Sequence, residues 1–256
     1  MGKLNLCFRN SFTKKIRAAF IPRDESHIIL SSDYSQIELR IMASICGEET
    51  MIAAFENGED IHRSTAALVF SVDRDEVTPD MRRKAKEVNF GILYGIGAFG
   101  LGNRLGLPRN QAQEIIDTYF NNFSNVKEFI HDSQKKAKEE GYAETLLGRR
   151  RHLKNINSSN RVVRQFEERV AINMPIQGTA ADMIKLAMIK VYDELNQINV
   201  KSKMILQVHD ELVFDICKDE LDIVKPIIKK CMEDALPLNV PISVDIGVGN
   251  NWLEAH

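Results

Sequence analysis

Residues 207–216 read QVHDELVFDI, and how this stretch folds decides the architecture. Apolar side chains alternate on both sides of a charged centre, the pattern of two strands joined by a tight turn. His209, Asp210 and Glu211 then fall in succession at the tip of a β-hairpin. Two adjacent carboxylates repel each other and gain nothing from packing there. Asp is a common turn residue, so taken in isolation the pair reads first as a solvated turn. The choice depends on a partner for Asp210 elsewhere in the chain.

Such a partner stands far upstream. HIILSS, residues 27–32, reads as a buried strand that delivers Asp33 to its carboxyl end. Ser35-Gln36-Ile37-Glu38 fits a capping box, with Ser35 as N-cap and Glu38 at the third helical position. Ile37, Ile41 and Ile45 continue on one face, and Gly47 is a plausible stop. Thr78-Pro79 opens another helix, with proline in the first turn where its missing N–H costs nothing. Met81, Ala85, Val88 and Ile92 keep helical spacing toward a core, and Arg82, Lys86, Phe90 and Tyr94 form a polar-aromatic stripe beside them, drifting about 40° per step.

The segment 108–141 is helical, with Ile115, Ile116, Tyr119 and Phe120 on one apolar face and Val126, Phe129 and Ile130 on another. Tyr119, Phe120 and Phe129 are expected in the core. YAETLLGRRRHL, residues 142–153, reads as two short strands turning at Gly148. A long helical region broken at Pro175, the hairpin, a helix over 219–235 and a last strand ISVDIGV complete the chain. Strands and helices mix without regular βαβ alternation, which predicts an α+β fold.

With 256 residues, 44% hydrophobic and 27% charged, the chain can bury a substantial core as a soluble globular protein. It has no apolar run able to span a bilayer and no signal-like start, so no membrane partner is expected. The four cysteines, Cys7, Cys46, Cys217 and Cys231, form no CxxC pair, which suits reduced thiols in a cytoplasmic compartment. A net charge of −2 excludes a polycation, so any grip on nucleic acid must be local. The candidate patches are 82–86 and 149–152 with Lys154, Arg161 and Arg164; a charge run is ordinarily a solvated face, so either needs independent support.

Two strand-end carboxylates and a helix carrying Arg82 and Lys86 one turn apart are the parts that nucleotidyl transfer requires. Paired carboxylates suit hard divalent cations, and fixed positive charge suits a triphosphate. Phe90, one turn further, has a face on which a base or sugar could stack.

Several longer stretches carry a resemblance. SSDYSQIELRIMAS, RRKAKEVNFGILYG and QVHDELVFD resemble motifs A, B and C of the family A DNA polymerases. DIHRSTAALVF, LLGRRRHLKNINSSN, ERVAINMPIQGTAAD and the ending GNNWLEAH are similar to further family stretches, in family order. The resemblance implies an antiparallel palm sheet with a helical fingers subdomain, in a right-hand architecture lacking the thumb, since only residues 1–32 precede Asp33. It divides the chain into palm 1–72, fingers 73–148 and palm 149–256. The implied activity is addition of deoxynucleotides to a primer 3′-OH on a DNA template, with two Mg²⁺ ions or Mn²⁺ in their place. A folded but inactive or weak DNA- or nucleotide-binding fragment is the alternative. A single-subunit RNA polymerase is disfavoured by the match at SQIELR.

By motif position, the resemblance makes Asp33 and Asp210 the metal-binding carboxylates, with the carbonyl of Tyr34 a further ligand and Glu211 in a secondary catalytic role. Gln36, Glu38, His62, Arg82, Lys86, Phe90 and Tyr94 would contact the incoming dNTP. Gly95, Arg150, Arg151, Arg169, Asn173, Gln177 and His209 would face the primer-template, and Arg9 holds a basic position ahead of the palm strand. Glu38 reads equally as a helix cap or as the carboxylate that excludes a ribose 2′-OH. His62 reads as a triphosphate contact or a helix-surface histidine, and Arg150 and Arg151 as phosphate contacts or hairpin solvation.

Overall fold

The structure is a computed structural model that describes residues 15–256; Cys7 and Arg9 lie outside them. In chain order the elements are β1 (His27–Tyr34), α1 (Ile37–Cys46), α2 (Glu49–Glu56), α3 (Ile61–Phe70), α4 (Pro79–Leu93), α5 (Ala98–Leu105), α6 (Arg109–Asn122), α7 (Ser124–Glu140), β2 (Tyr142–Glu144), β3 (Arg150–His152), α8 (Arg161–Gln197), β4 (Lys203–Val208), β5 (Glu211–Cys217), α9 (Leu221–Glu233), β6 (Val244–Gly249) and α10 (Trp252–Ala255). Two compact units share them. One comprises the chain up to Ser35 with Met183–Pro237 and Ile242–His256, the other Gln36–Asp182 with Leu238–Pro241.

The first unit holds an antiparallel sheet in the order β4-β5-β1-β6, as the α+β expectation required. β5 is buried along its whole length, whereas β4 at the edge alternates between exposed and half-buried positions. An interior strand is covered on both faces and an edge strand is not. Ile29, Val213, Trp252 and Ala255 form a core cluster with Leu206 and Val208 against it. Burying a side chain the size of Ile29 or Val213 contributes about 1.5–3 kcal/mol relative to exposure. A Cβ on Gly247 would lie 2.0 Å from the Ala255 carbonyl oxygen, so only glycine lets α10 close onto β6.

The second unit is mostly helical. Thr78 caps α4 by accepting from the Met81 N–H at 3.2 Å with Pro79 in the first turn; Ala85, Val88 and Ile92 are buried as the spacing required, while Met81 at the head of that series is only half-buried. Tyr119 is core, but Phe120 and Phe129 are only half-buried, because α6 and α7 turn those positions toward their rims. The β2–β3 hairpin rests on α8 at Gly178, where a Cβ would meet Thr145 Cγ2 at 2.4 Å. Thr145 and Arg149 both bond to Asp182 of α8, at 2.7 and 2.8 Å.

Pro175 does not end its helix. α8 runs unbroken over 37 residues with the proline inside it, against the expected interruption. Proline removes one backbone bond, but Ala171, Ile172 and Ile176 around it are all buried, so packing holds the helix through the defect. Among the described residues, no helix is long and apolar enough to cross a membrane, and Cys46, Cys217 and Cys231 are free thiols.

Candidate functional site

The first unit carries a set of carboxylates. Register places Asp33 of β1 opposite Glu211 on one side and Asp245 of β6 on the other. The hairpin between β4 and β5 has His209 and Asp210 as its two loop residues, with His209 exposed in the left-handed region at φ 55°. The Tyr34 N–H donates to the Asp210 carbonyl at 3.2 Å, tying the loop to the end of β1. The Tyr34 hydroxyl donates to the Met232 carbonyl at 2.7 Å, which anchors that strand end from below.

Asp33 carries the electrostatic cost of this arrangement. Burial, then the charges of Asp210, Glu211 and Asp245, lift its carboxyl to about 7 against a slight lowering by Arg17. Asp210 is raised as well, chiefly by burial. Glu211 is only 3% exposed and its oxygens are occupied by protein donors. It accepts from Ser31 Oγ at 2.6 Å and from the Trp252 indole N–H, and it pairs with Arg17 at 3.5 Å and His256 at 3.4 Å. The two adjacent acids therefore divide: Glu211 turns into the fold and Asp210 stays at the loop.

One oxygen of Asp33, Oδ1, is buried with no hydrogen-bond partner. An orphaned carboxylate oxygen costs free energy that a bound cation would recover. Among the described residues, no cluster of three or more His, Cys, Asp or Glu side chains could hold a metal alone. An all-oxygen set of one or two carboxylates is how proteins hold Mg²⁺, with water and substrate phosphate completing the shell. The residues fit that ion.

The second unit carries a basic and aromatic series. Arg82 and Lys86 are exposed on α4, and Phe90 and Tyr94 follow half-buried, rings stacked with centroids 6.3 Å apart. Arg82 pairs with Asp60, which also caps α3 by accepting from the N–H groups of His62 and Arg63. His62 is not on the surface: it is 3% exposed, with its Nδ1 3.0 Å from Asn89 Nδ2. Burial, with Lys86 and Arg82 adding to it against Asp60, pushes the imidazole down to about 4.

Glu38 departs from the expected cap position. The N-cap residue of α1 is Gln36, in the left-handed region at φ 54°, so Glu38 is the second helical residue rather than the third. Its Oε2 accepts from the Tyr94 hydroxyl at 2.6 Å, joining motif A to motif B. Gln36 Oε1 is a buried acceptor without a partner.

The residues expected to face DNA divide by their partners. Arg169 Cγ lies 3.2 Å from where a Cβ on Gly95 would stand, and Gly95 has φ +68°, so those two positions do meet. Asn173 and Gln177 follow half-buried on α8, and Asn173 Oδ1 is a buried atom with no partner. Arg150 pairs with Glu144 at 3.2 Å and lies 4.3 Å from the Tyr142 ring centroid, whereas Arg151 is exposed. Sequence reading missed Asp60, Asn89, Asp182 and Asp245. Their partners lie on other elements, and only the alternation in ISVDIGV pointed to a side chain at 245.

Comparisons with known proteins agree in kind. The DNA polymerase family A profile matches residues 4–254. A DNA polymerase I of Caldicellulosiruptor bescii is 50% identical over 241 residues, 94% of this chain and 28% of that protein. The Bacillus subtilis DNA polymerase I is 47% identical over 251 residues, 98% of this chain and 28% of its own length. The chain thus spans 28% of these relatives. A POL domain from M. smegmatis, solved in complex with DNA primer-template and dNTP, superposes with a TM-score of 0.92 at 41% identity, over 96% of this chain and 44% of that one.

Proposed function

Since the chain belongs to DNA polymerase family A, we propose that it adds deoxynucleotides from dNTPs to a primer 3′-OH under the direction of a DNA template. The observation that carries this reading is the partnerless buried oxygen of Asp33, whose carboxyl is raised first by burial and then by Asp210, Glu211 and Asp245. Asp33, Asp210 and the Tyr34 carbonyl would hold the metal. Two Mg²⁺ ions bound there, or Mn²⁺ as substitute, would activate the attacking oxygen and stabilise the leaving one.

The chain's own residues do the rest. Lys86 and Arg82 bind the triphosphate, with Arg82 oriented beforehand by Asp60. His62 adds a neutral donor, Phe90 offers its ring to the nucleotide, and Gln36 and Glu38 border the sugar. Tyr94 and Gly95 bear on the templating base, and Arg151, Arg169, Asn173, Gln177 and His209 grip the primer-template, with Arg150 held back by Glu144. Glu211 orients the turn that presents Asp210.

Primer extension by the purified chain with Mg²⁺ tests this. Extension by the parent, abolished in Asp33→Ala and in Asp210→Ala with the fold retained, is the expected result. Either variant extending like the parent overturns the assignment. Primer-template binding without any turnover makes the chain a binding module instead.

A further inference from the structure

We propose that Asn89 is a positioning residue that locks His62 in the Nε2–H tautomer, so that the imidazole faces a ligand with a donor and never with a lone pair. The inference rests on the reading above that His62 meets the triphosphate, but the lock itself is read from local geometry. Asn89 has no solvent exposure and His62 is 3% exposed, so water cannot substitute for either partner. Asn89 Nδ2 lies 3.0 Å from His62 Nδ1 and 3.0 Å from Thr65 Oγ1.

Thr65 has a single hydroxyl proton, and the Ile61 carbonyl takes it at 2.8 Å within α3. The Thr65 oxygen is then left to accept, and the closer amide atom, the nitrogen at 3.0 Å rather than the oxygen at 3.2 Å, is the one that also faces His62. With Nδ1 accepting from that amide, a neutral ring must carry its proton on Nε2. The charged groups around the ring are Asp60, Arg82 and Lys86, and burial dominates them, so the ring is neutral at pH 7. Phe90, its ring centroid 5.8 Å from the imidazole, limits rotation on that side. A triphosphate presents only acceptors, and the wrong tautomer would set lone pair against lone pair.

The test uses ¹⁵N-labelled whole chain and histidine tautomer assignment by long-range ¹H–¹⁵N NMR at pH 7.5. The parent is expected to show His62 protonated at Nε2. In Asn89→Asp the side chain keeps its shape but only accepts, so Nδ1 must become protonated. A parent ring protonated at Nδ1 overturns the lock even if no variant folds, and an unchanged neutral Nε2–H ring in Asn89→Asp overturns it too. Titration with dATP reads the underlying site separately. Affinity should fall about tenfold in Asn89→Leu and in His62→Ala, with the double variant no weaker than either. A confirmed lock with no dATP-induced shift at His62 overturns the triphosphate reading alone.

Discussion

Asp33 bears a carboxyl that its own surroundings hold away from the charged form. Its carboxyl rises from 3.8 to about 7, by burial first and then by Asp210, Glu211 and Asp245. The folded chain therefore keeps a proton that the unfolded chain has already lost. From pH 4 to pH 7 the unfolded state binds fewer protons, so this group makes stability fall as pH rises, and the full penalty stands above pH 7. Without divalent cations, Asp33→Asn should lose less melting temperature over that window than the parent does and should be at least as stable at pH 8. Mg²⁺ should then raise the melting temperature of the parent more than that of the variant. Equal pH profiles in parent and variant would show that Asp33 is not strained. Glu38 supplies the second case at this scale. With its Oε2 on the Tyr94 hydroxyl at 2.6 Å, Glu38→Ala should cost at most about 1 kcal/mol of helix N-terminal stabilisation. Selectivity for dNTP over rNTP should fall at least tenfold, since even ~1.4 kcal/mol of differential binding gives that factor. Tyr94→Phe removes only the donor and should move the ratio the same way by less. The measurement is the kcat/KM ratio for the two sugars on one primer-template.

Among elements, α4 separates two kinds of cation that the sequence shows as equivalent. Arg82 is tied to Asp60, while Lys86 is exposed with no ion-pair partner among the described residues. Both Arg82→Ala and Lys86→Ala should weaken dNTP binding more than DNA binding. Only Arg82→Ala should also lower stability, by up to about 1 kcal/mol, because it strips Asp60 of its counter-charge. Lys86→Ala should stay within about 0.5 kcal/mol of the parent. Chemical denaturation beside dNTP titration reads both, and equal destabilisation would contradict the difference in pairing. Local pattern explains what was legible here. Thr78-Pro79 marks the start of α4 and the four-residue series marks its outer stripe, because cap and period are properties of neighbouring residues. The 207–216 hairpin was legible for the same reason. Asp60 and Asn89 were not, since each finds its partner 22 or 27 positions away across a helix pair. The burial of Glu211 was hidden more deeply, behind Ser31 at 180 positions. Pro175 misled because local propensity says break, while buried neighbours on both sides hold the helix together.

For the whole molecule the net charge is −2, so attraction to a DNA backbone cannot come from the overall field and must come from cations that no carboxylate has already neutralised. Internal pairing sorts the basic residues from the end of α7 through the hairpin to α8. Arg149 is held by Asp182, Arg150 by Glu144 and Lys138 by Glu168. Arg151, Lys154, Arg161 and Arg169 are exposed and form no ion pair among the described residues. Counterion release scales with the phosphates actually neutralised, with a slope of about −0.9 per contact for duplex DNA. If the four unpaired residues make the contacts, log affinity against log salt should have a slope of roughly −3 to −4. Arg151→Ala and Arg169→Ala should each make that slope shallower by about one, with uniform weakening across template sequences. Arg150→Ala should change it much less, because its guanidinium must first leave Glu144 and the Tyr142 ring. Fluorescence anisotropy of a labelled primer-template between 50 and 200 mM salt gives all three slopes. An Arg150→Ala slope as shallow as that of Arg151→Ala would mean that DNA pulls Arg150 out of its pair, and that the ion pairs of the free chain do not decide which cations bind.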